Sequence, residues 1–217
     1  MRSADTDIIK IFIADDHPLV RKGLRQVLEE EVDFNVIGEA SDATELLELL
    51  DHFEVDVIVT DLAMPGRSGL DLVADVKRVA PSVAVLVLSM HPEDRFATRA
   101  LKAGASGYLT KDASPEIIMS AIRKVATGRK FITPSLAEKL ANEIDAHSSQ
   151  AIHEVLSNRE FQVMCALASG KKIKEIADEL SISIHTVNTY KTRIMEKMNM
   201  KTIHDLTLYA IDNHLIE

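Results

Sequence analysis

Tryptophan is absent, aromatic residues make up 4% of the chain, and Cys165 is the one cysteine among 217 residues. A lone cysteine excludes an intrachain disulfide, and its place inside an apolar helical pattern marks it as a packing residue. No segment reaches the run of about 20 apolar residues that spans a bilayer. The opening MRSADTDIIK also lacks an apolar stretch of signal-peptide length. A cytoplasmic protein with no membrane partner is expected. Charge and aliphatic carbon are plentiful: 27% charged and 46% hydrophobic residues give the balance of a globular chain, not a disordered one. The length suits one domain of ordinary size plus a small one.

A net charge of −9 argues at first against a nucleic-acid partner, but the acidity is local. Residues 1–128 hold 14 Lys and Arg against 22 Asp and Glu, whereas residues 153–217 hold 8 against 9. Within 171–201 there are seven basic residues and four acids, an excess that could face phosphates.

Up to about residue 126, β-branched apolar runs alternate with stretches of helical period, the pattern of a parallel sheet covered on both faces. Strands are expected at 8–14, 34–40, 55–60, 83–89 and 106–110. Helices are expected near 18–30, 42–52, 69–79, 93–103 and 114–126, with Ser114 as the last N-cap and Pro115 at its first helical position. Gly104 and Gly128 suit helix ends. From 127 to 152 the pattern loosens into a linker, with a helix at 134–144 and a flexible tether at AHSSQ (146–150). From 153 to 217 the strand signal disappears. SNRE (157–160) is a capping box, and helices fit 157–169, 172–179, 183–198 and 202–213. The expected fold is an α/β domain, five parallel strands doubly wound in the order 2-1-3-4-5, followed by a smaller all-α domain of four helices.

In an open parallel sheet, ligands bind beyond the carboxyl ends of the strands, where the strand order reverses. Asp15 and Asp16 follow the first strand, Asp61 the third, Ser89 ends the fourth and Lys111 follows the fifth. All converge on one edge. Three clustered carboxylates repel one another unless a cation compensates, and an all-oxygen cluster beside an open position suits Mg²⁺. A carboxylate can act as a nucleophile toward phosphorus while metal and lysine stabilise the transferring oxygens. Asp61 stands alone on its loop and is the candidate acceptor, and the adjacent Asp15 and Asp16 are suited to gripping metal. Singly, each acid would read as a loop residue or helix N-cap, and their joint placement decides against that. His17 is a loop or docking residue, because hard Mg²⁺ prefers oxygen.

The motifs DDHP (15–18), DLAMPGRSG (61–69), LSM (88–90) and GYLTK (107–111) resemble the receiver domain of two-component response regulators. The resemblance spans the whole first domain and implies a flavodoxin-like fold. It implies that Asp16 holds Mg²⁺ directly and Asp15 through water, with the Ala63 backbone carbonyl as a further ligand. Asp61 would accept a phosphoryl group from a histidine kinase, Ser89 would turn to bind it, Tyr108 would be the aromatic switch, and Lys111 would pair with the phosphorylated carboxylate. Asp112 stands where many receivers carry proline.

The segment 156–198 resembles the LuxR-type helix-turn-helix: LSNRE, GKKIKEIADELSIS and HTVNTYKTRIMEKM. Joined to a receiver, it gives the layout of the NarL/FixJ family. Gln162, Lys172, Ile173 and Tyr190 depart from the common pattern. Read physically, the helix capped by Ser183 has a buried stripe of Ile184, Val187, Ile194 and Met198. Its other face carries His185, Asn188, Thr189 and Thr192, short polar groups able to reach base edges. Lys191 and Arg193 flank that face to grip phosphates. Lys172 and Lys174, at the positive end of the preceding helix, add backbone contacts. In the last helix, Ile203, Leu206 and Ala210 are expected to face the core, and Leu208, Ile211 and Leu215 to form a second apolar stripe for a dimer partner.

The expected function is transcription control. Phosphorylation of Asp61 would promote a homodimer that binds two promoter half-sites, with RNA polymerase as a further partner. The chain would be no enzyme beyond handling its own phosphoryl group. Two readings compete. An aspartate-dependent phosphohydrolase would place D-x-D after the first strand, where this chain has adjacent Asp15 and Asp16. A protein-interaction output without DNA binding would show no affinity for any genomic fragment.

Overall fold

The structure is a computed structural model that describes residues 8–50, 52–64, 69–145 and 151–216. It divides into two units, Met1–Lys139 and Leu140–Glu217. The expected tether at 146–150 and residues 65–68 of the loop after Asp61 lie outside the described residues.

The first unit alternates β1 (Ile9–Ala14), α1 (Pro18–Glu29), β2 (Phe34–Ala40), α2 (Ala43–Leu50) and β3 (Val57–Thr60) with α3 (Gly69–Val79). It continues through β4 (Ala84–Ser89), α4 (Glu93–Lys102), β5 (Gly107–Thr110) and α5 (Pro115–Ala126), and α6 (Pro134–Asp145) begins in it and ends beyond its last residue, Lys139. All strand pairs are parallel, in the order β2-β1-β3-β4-β5. Every residue of β3 and β4 is buried, as central strands covered on both faces must be. On one face Ile11, Ile13, Val57, Val59, Leu86 and Leu88 pack with Leu24 and Leu28 of α1 and Ile118, Ile122 and Val125 of α5. Each such side chain is worth about 1.5–3 kcal/mol of burial.

The loop after β3 is closed by Gly69. Its N–H donates to the Leu62 carbonyl, and a Cβ at this position would lie 2.3 Å from the Leu62 Cα. Only glycine lets α3 start this close to the turn that carries Asp61. Gly104 and Gly128 have φ of 111° and 77° and end α4 and α5. Ser114 has the extended backbone of an N-cap ahead of Pro115, but its hydroxyl caps no helix N–H.

The segment between α5 and α6 is not loose along its whole length. Phe131 bridges to Gly107 and donates its N–H to the Ser106 carbonyl, beside the outer edge of β5. The Lys130 ammonium bonds the Ala105 carbonyl, and Leu136 is buried.

The second unit holds a single 3₁₀ turn (Ile152–Val155), α7 (Asn158–Ala168), α8 (Ile173–Glu179), α9 (Ile184–Lys197) and α10 (Ile203–Asp212). Ser157 and Glu160 form the expected capping box on α7. Glu160 also takes the Lys197 ammonium at 2.7 Å, tying the start of α7 to the end of α9. Left-handed residues follow all four helices: Gly170, Ser181, Asn199 and His214. Cys165 is buried, as a packing residue should be.

Two apolar assignments are corrected. Ile184 is 51% exposed and lies outside the stripe of Val187, Ile194 and Met198. It is the first residue of α9, and helical side chains tilt toward the N-terminus, so it projects beyond the body of the helix. Leu215 is 5% exposed and cannot join an outward stripe. The helix stops before it, and His214, at φ 55°, folds Leu215 back so that its N–H reaches the Ala210 carbonyl. Leu208 and Ile211 remain exposed, while Leu206 and Ala210 are buried and Ile203 is half-buried. Among the described residues no helix is long and apolar enough to cross a membrane.

Candidate functional site

The parallel topology delivers five polar side chains to the carboxyl edge of the sheet in the first unit. Asp61 leaves β3 fully buried, with Oδ1 accepting the N–H groups of Leu62 at 2.6 Å and Ala63 at 3.3 Å. Its Oδ2 lies 2.6 Å from the Lys111 ammonium, which is also 2.6 Å from Asp15 Oδ2. Burial works to lower the Lys111 pKa, but its hydrogen bonds to Asp15 and Asp61 outweigh that and hold the ammonium above its ordinary value. Lysine therefore bridges two of the three acids.

The third acid is left with capacity to spare. Asp16 Oδ1 lies 2.7 Å from His17 Nδ1, without the alignment of a hydrogen bond, and this buried oxygen has no hydrogen-bond partner. Asp15, Asp16, His17 and Asp61 each offer one ligand atom, all within 4.8 Å of one another. Oxygen donors in that density, one of them unsatisfied, fit a hard divalent cation.

Ser89 and Tyr108 sit deeper. Ser89 is wholly buried at the end of β4, and its Oγ accepts the His91 N–H at 3.2 Å. Tyr108 is wholly buried in β5 and donates its hydroxyl to the His91 carbonyl at 2.7 Å. The β4–α4 loop is thus held by both residues, and the His91 ring stacks on Phe96 of α4 at 4.6 Å.

Sequence reasoning passed over Arg21. From the first turns of α1 its guanidinium donates to the Asp15 carbonyl at 2.5 Å and faces Glu39 of β2 at 3.3 Å. It braces the loop that carries Asp15 and Asp16. Its sequence signal was an arginine six residues after Asp15 on the inner end of a helix, which without coordinates reads as a solvated charge.

In the second unit, α8, a four-residue turn and α9 form a helix-turn-helix. The turn is fixed from beneath by Arg159 of α7, which is 6% exposed and donates to the Leu180 carbonyl at 2.6 Å and to Gln162 at 3.0 Å. Ser183 caps α9 by accepting the Thr186 N–H. His185, Asn188, Thr192 and Arg193 are exposed, and Thr189 and Lys191 are half-buried. Asn188, Thr189 and Thr192 each donate to the carbonyl four residues earlier, so their polar groups rest on their own helix. Lys171 pairs with Glu179 and Lys197 with Glu160. Lys172, Lys174, Lys191, Arg193 and Lys201 form no ion pair among the described residues. Lys172 occupies the N-cap position of α8 without a side-chain cap bond and Lys174 is in its first turn, both exposed.

Comparison with known proteins follows the same division. Residues 11–123 match the family described as the response regulator receiver domain, and residues 154–210 match the bacterial regulatory proteins of the luxR family. The chain is 35% identical over 209 residues to the response regulator UvrY of Escherichia coli K12, covering 96% of each. This chain is a response regulator of the NarL/FixJ family. Its family relatives of solved structure include RcsB of Salmonella enterica serovar Typhimurium bound to promoter rprA in the presence of a phosphomimetic. That structure has a TM-score of 0.63 at 29% identity and covers 93% of this chain and 98% of that one. A structure of two RcsB dimers bound to two parallel DNAs has a TM-score of 0.59 at 31% identity and covers 93% and 97%. As a NarL/FixJ regulator the chain carries a receiver and a LuxR-type DNA-binding domain, in a family of transcription regulators.

Proposed function

We propose that Asp61 accepts a phosphoryl group from a histidine kinase and that this modification controls sequence-specific promoter binding by α8 and α9. The observation that carries the reading is the buried Asp61 carboxylate, bonded by Lys111 and set beside Asp15 and Asp16. Its Oδ2 attacks phosphorus, the bond from phosphorus to the donor atom breaks, and Lys111 follows the charge onto the new phosphoryl oxygens. Asp16 would hold Mg²⁺ directly, Asp15 through water, and Asp61 and the Ala63 carbonyl would complete the protein ligands. Bound there, Mg²⁺ supplies positive charge to the transferring oxygens. The Lys111 ammonium, bonded to both Asp15 and Asp61, holds the acceptor in place. The N–H groups of Leu62 and Ala63 fix its Oδ1, and Arg21 holds the Asp15 backbone. An apolar groove beside Lys111, lined by Val20, Leu24, Val27, Met90 and Ile118, gives the kinase a surface to dock on.

With the phosphoryl group in place, Ser89 would turn to bond it and Tyr108 would repack, altering the receiver face formed by α4 and α5 or its neighbours. The receiver would take residues 1–126, the linker 127–152 and the DNA-binding domain 153–217. The readers would be His185, Asn188, Thr189 and Thr192, with Lys172, Lys174, Lys191 and Arg193 on phosphates. Phosphorylation would promote a homodimer on paired half-sites, with exposed Leu208 and Ile211 as an apolar contact, in the cytoplasm and within reach of RNA polymerase. RcsB was solved on promoter DNA with a phosphomimetic, and as dimers on DNA, which supports the same use here.

The test is uptake of labelled phosphate from acetyl phosphate. Label is expected on Asp61, dependent on divalent metal and lost in Asp61→Asn. Full labelling of Asp61→Asn, or of the wild type in excess chelator, contradicts the assignment.

A further inference from the structure

The segment joining α5 to α6 is fastened at two places, one on the strand that carries Tyr108 and the other on the helix that follows the loop Tyr108 bonds. Phe131 is joined to β5 through Gly107 and the Ser106 carbonyl. Thr133, the residue before Pro134 at the start of α6, donates its hydroxyl to Glu93 Oε1 at 2.6 Å. The same hydroxyl oxygen accepts the Leu136 N–H at 3.2 Å, and Ser135 Oγ lies 3.4 Å from the other Glu93 oxygen. Glu93 is the first residue of α4. Its carboxylate therefore stands at the N-terminal ends of two helices, where helix dipoles favour negative charge and unpaired N–H groups need acceptors.

We propose that this Glu93, Thr133 and Ser135 cluster is a clasp that holds the start of α6 on the receiver and is opened by phosphorylation. The inference rests on the reading of Asp61 as the acceptor. Three residues separate Ser89 from Glu93, and the loop between them is gripped by Ser89 Oγ on the His91 N–H and by Tyr108 on the His91 carbonyl. Drawing Ser89 toward a phosphoryl group on Asp61 pulls that loop and the first turn of α4 with it. Thr133 cannot follow, because Phe131 keeps its chain on β5. A charge-assisted hydrogen bond of 2.6 Å is lost within about 1 Å of displacement. Opening the clasp removes the Glu93 charge from the N-terminus of α6 and frees the cap hydroxyl, so the first turn of α6 frays. The clasp turns a change around Ser89 and Tyr108 into a change in the segment that leads to the DNA-binding unit.

The experiment is hydrogen exchange of the Leu136 and Ala137 amides in the full-length protein, with and without acetyl phosphate and Mg²⁺, alongside intact-mass measurement of Asp61 labelling. Labelled wild type is expected to exchange these amides about tenfold faster than unlabelled protein, as loss of a charged hydrogen bond implies. Glu93→Ala and Thr133→Val should exchange fast without the donor and gain little from it. Thr133→Ser and Glu93→Gln, which keep the hydroxyl and an acceptor, should restore the donor response. Normal Asp61 labelling of each variant shows that its first unit is folded. Unchanged exchange in labelled wild type, or wild-type exchange in both Glu93→Ala and Thr133→Val, overturns the clasp and leaves the functional reading standing. Absence of label on wild-type Asp61 overturns that reading and the clasp together.

Discussion

The Asp61 carboxylate is buried and bonded before any ligand arrives, by Lys111 and by the N–H groups of Leu62 and Ala63. Asn188, by contrast, is exposed and its amide rests on the Ile184 carbonyl of its own helix. The first site is preorganised: charges fixed in a dry setting act strongly and need little rearrangement. The second is left open, with short polar groups paired to carbonyls of their own helix and with Lys172, Lys174, Lys191 and Arg193 in no ion pair among the described residues. A duplex can exchange those weak bonds for base edges and draw affinity from counterion release. A phosphoryl acceptor must react with one small group in one geometry, whereas a DNA reader must tolerate many wrong sequences before it meets a right one.

The comparison breaks most easily beneath the reading helix, where one buried side chain carries the arrangement. Arg159→Met leaves the Leu180 carbonyl and Gln162 without their donor and is expected to destabilise the second unit by about 2–4 kcal/mol. Urea unfolding of the full chain, followed through exchange of the α7 amides, measures it. Phosphate uptake at Asp61 should be unaffected, and a loss there would mean that the two sites are not independently built.

Reader and grip should then separate on the exposed helix. Asn188→Ala is expected to cost about 1–3 kcal/mol at one base pair and relax preference there. Lys191→Ala should weaken all sequences alike and reduce the salt slope by about one unit. Competition titrations at several salt concentrations distinguish them. Equal proportional loss of specific and non-specific binding in both variants would dissolve the distinction.

The smallest expected effect is one of pH, and it has opposite signs in the two units. Burial pushes the Glu160 carboxyl up, but the bonds from Lys197 and Ser157 outweigh it and hold the group below the usual carboxylate value. Its contribution is therefore present above the unfolded pKa of about 4.3 and is lost as pH falls through the depressed folded value. Lys111 is raised, so its contribution is present below about 10.4 and is lost as pH rises through the folded value. Glu160→Gln should flatten the acid limb of the second unit's stability, and Lys111→Met the alkaline limb of the first.

Much of this was legible in the residues. The strands of the first unit declare themselves by β-branched runs, and once the parallel order is granted, Asp15, Asp16, Asp61, Ser89 and Lys111 have nowhere to go but one edge. What periodicity could not give lies where regular structure stops. Ile184 and Leu215 sit at the start of one helix and beyond the end of another, so a helical wheel misplaces both. Arg21, Arg159 and Glu93 were hidden for a second reason: each is a charged residue on a helix, solvated by default, and only the fold shows which backbone group or cap it reaches. The segment 127–136 reads as linker from composition, yet Phe131 joins it to the sheet's edge at Gly107 and Leu136 is buried.

On the proposed reading, the buried and preorganised carboxylate of one unit governs the basic face of the other, where Lys172, Lys174, Lys191 and Arg193 form no ion pair among the described residues. The most direct measurement is a DNA titration of the full-length wild type and of Asp61→Asn, each with and without acetyl phosphate and Mg²⁺, with the mass of the protein followed in parallel. The wild type should bind its selected fragment more tightly and shift toward a dimer with the donor, and Asp61→Asn should do neither. Equal affinity and unchanged mass in the wild type with and without label on Asp61 would contradict the account.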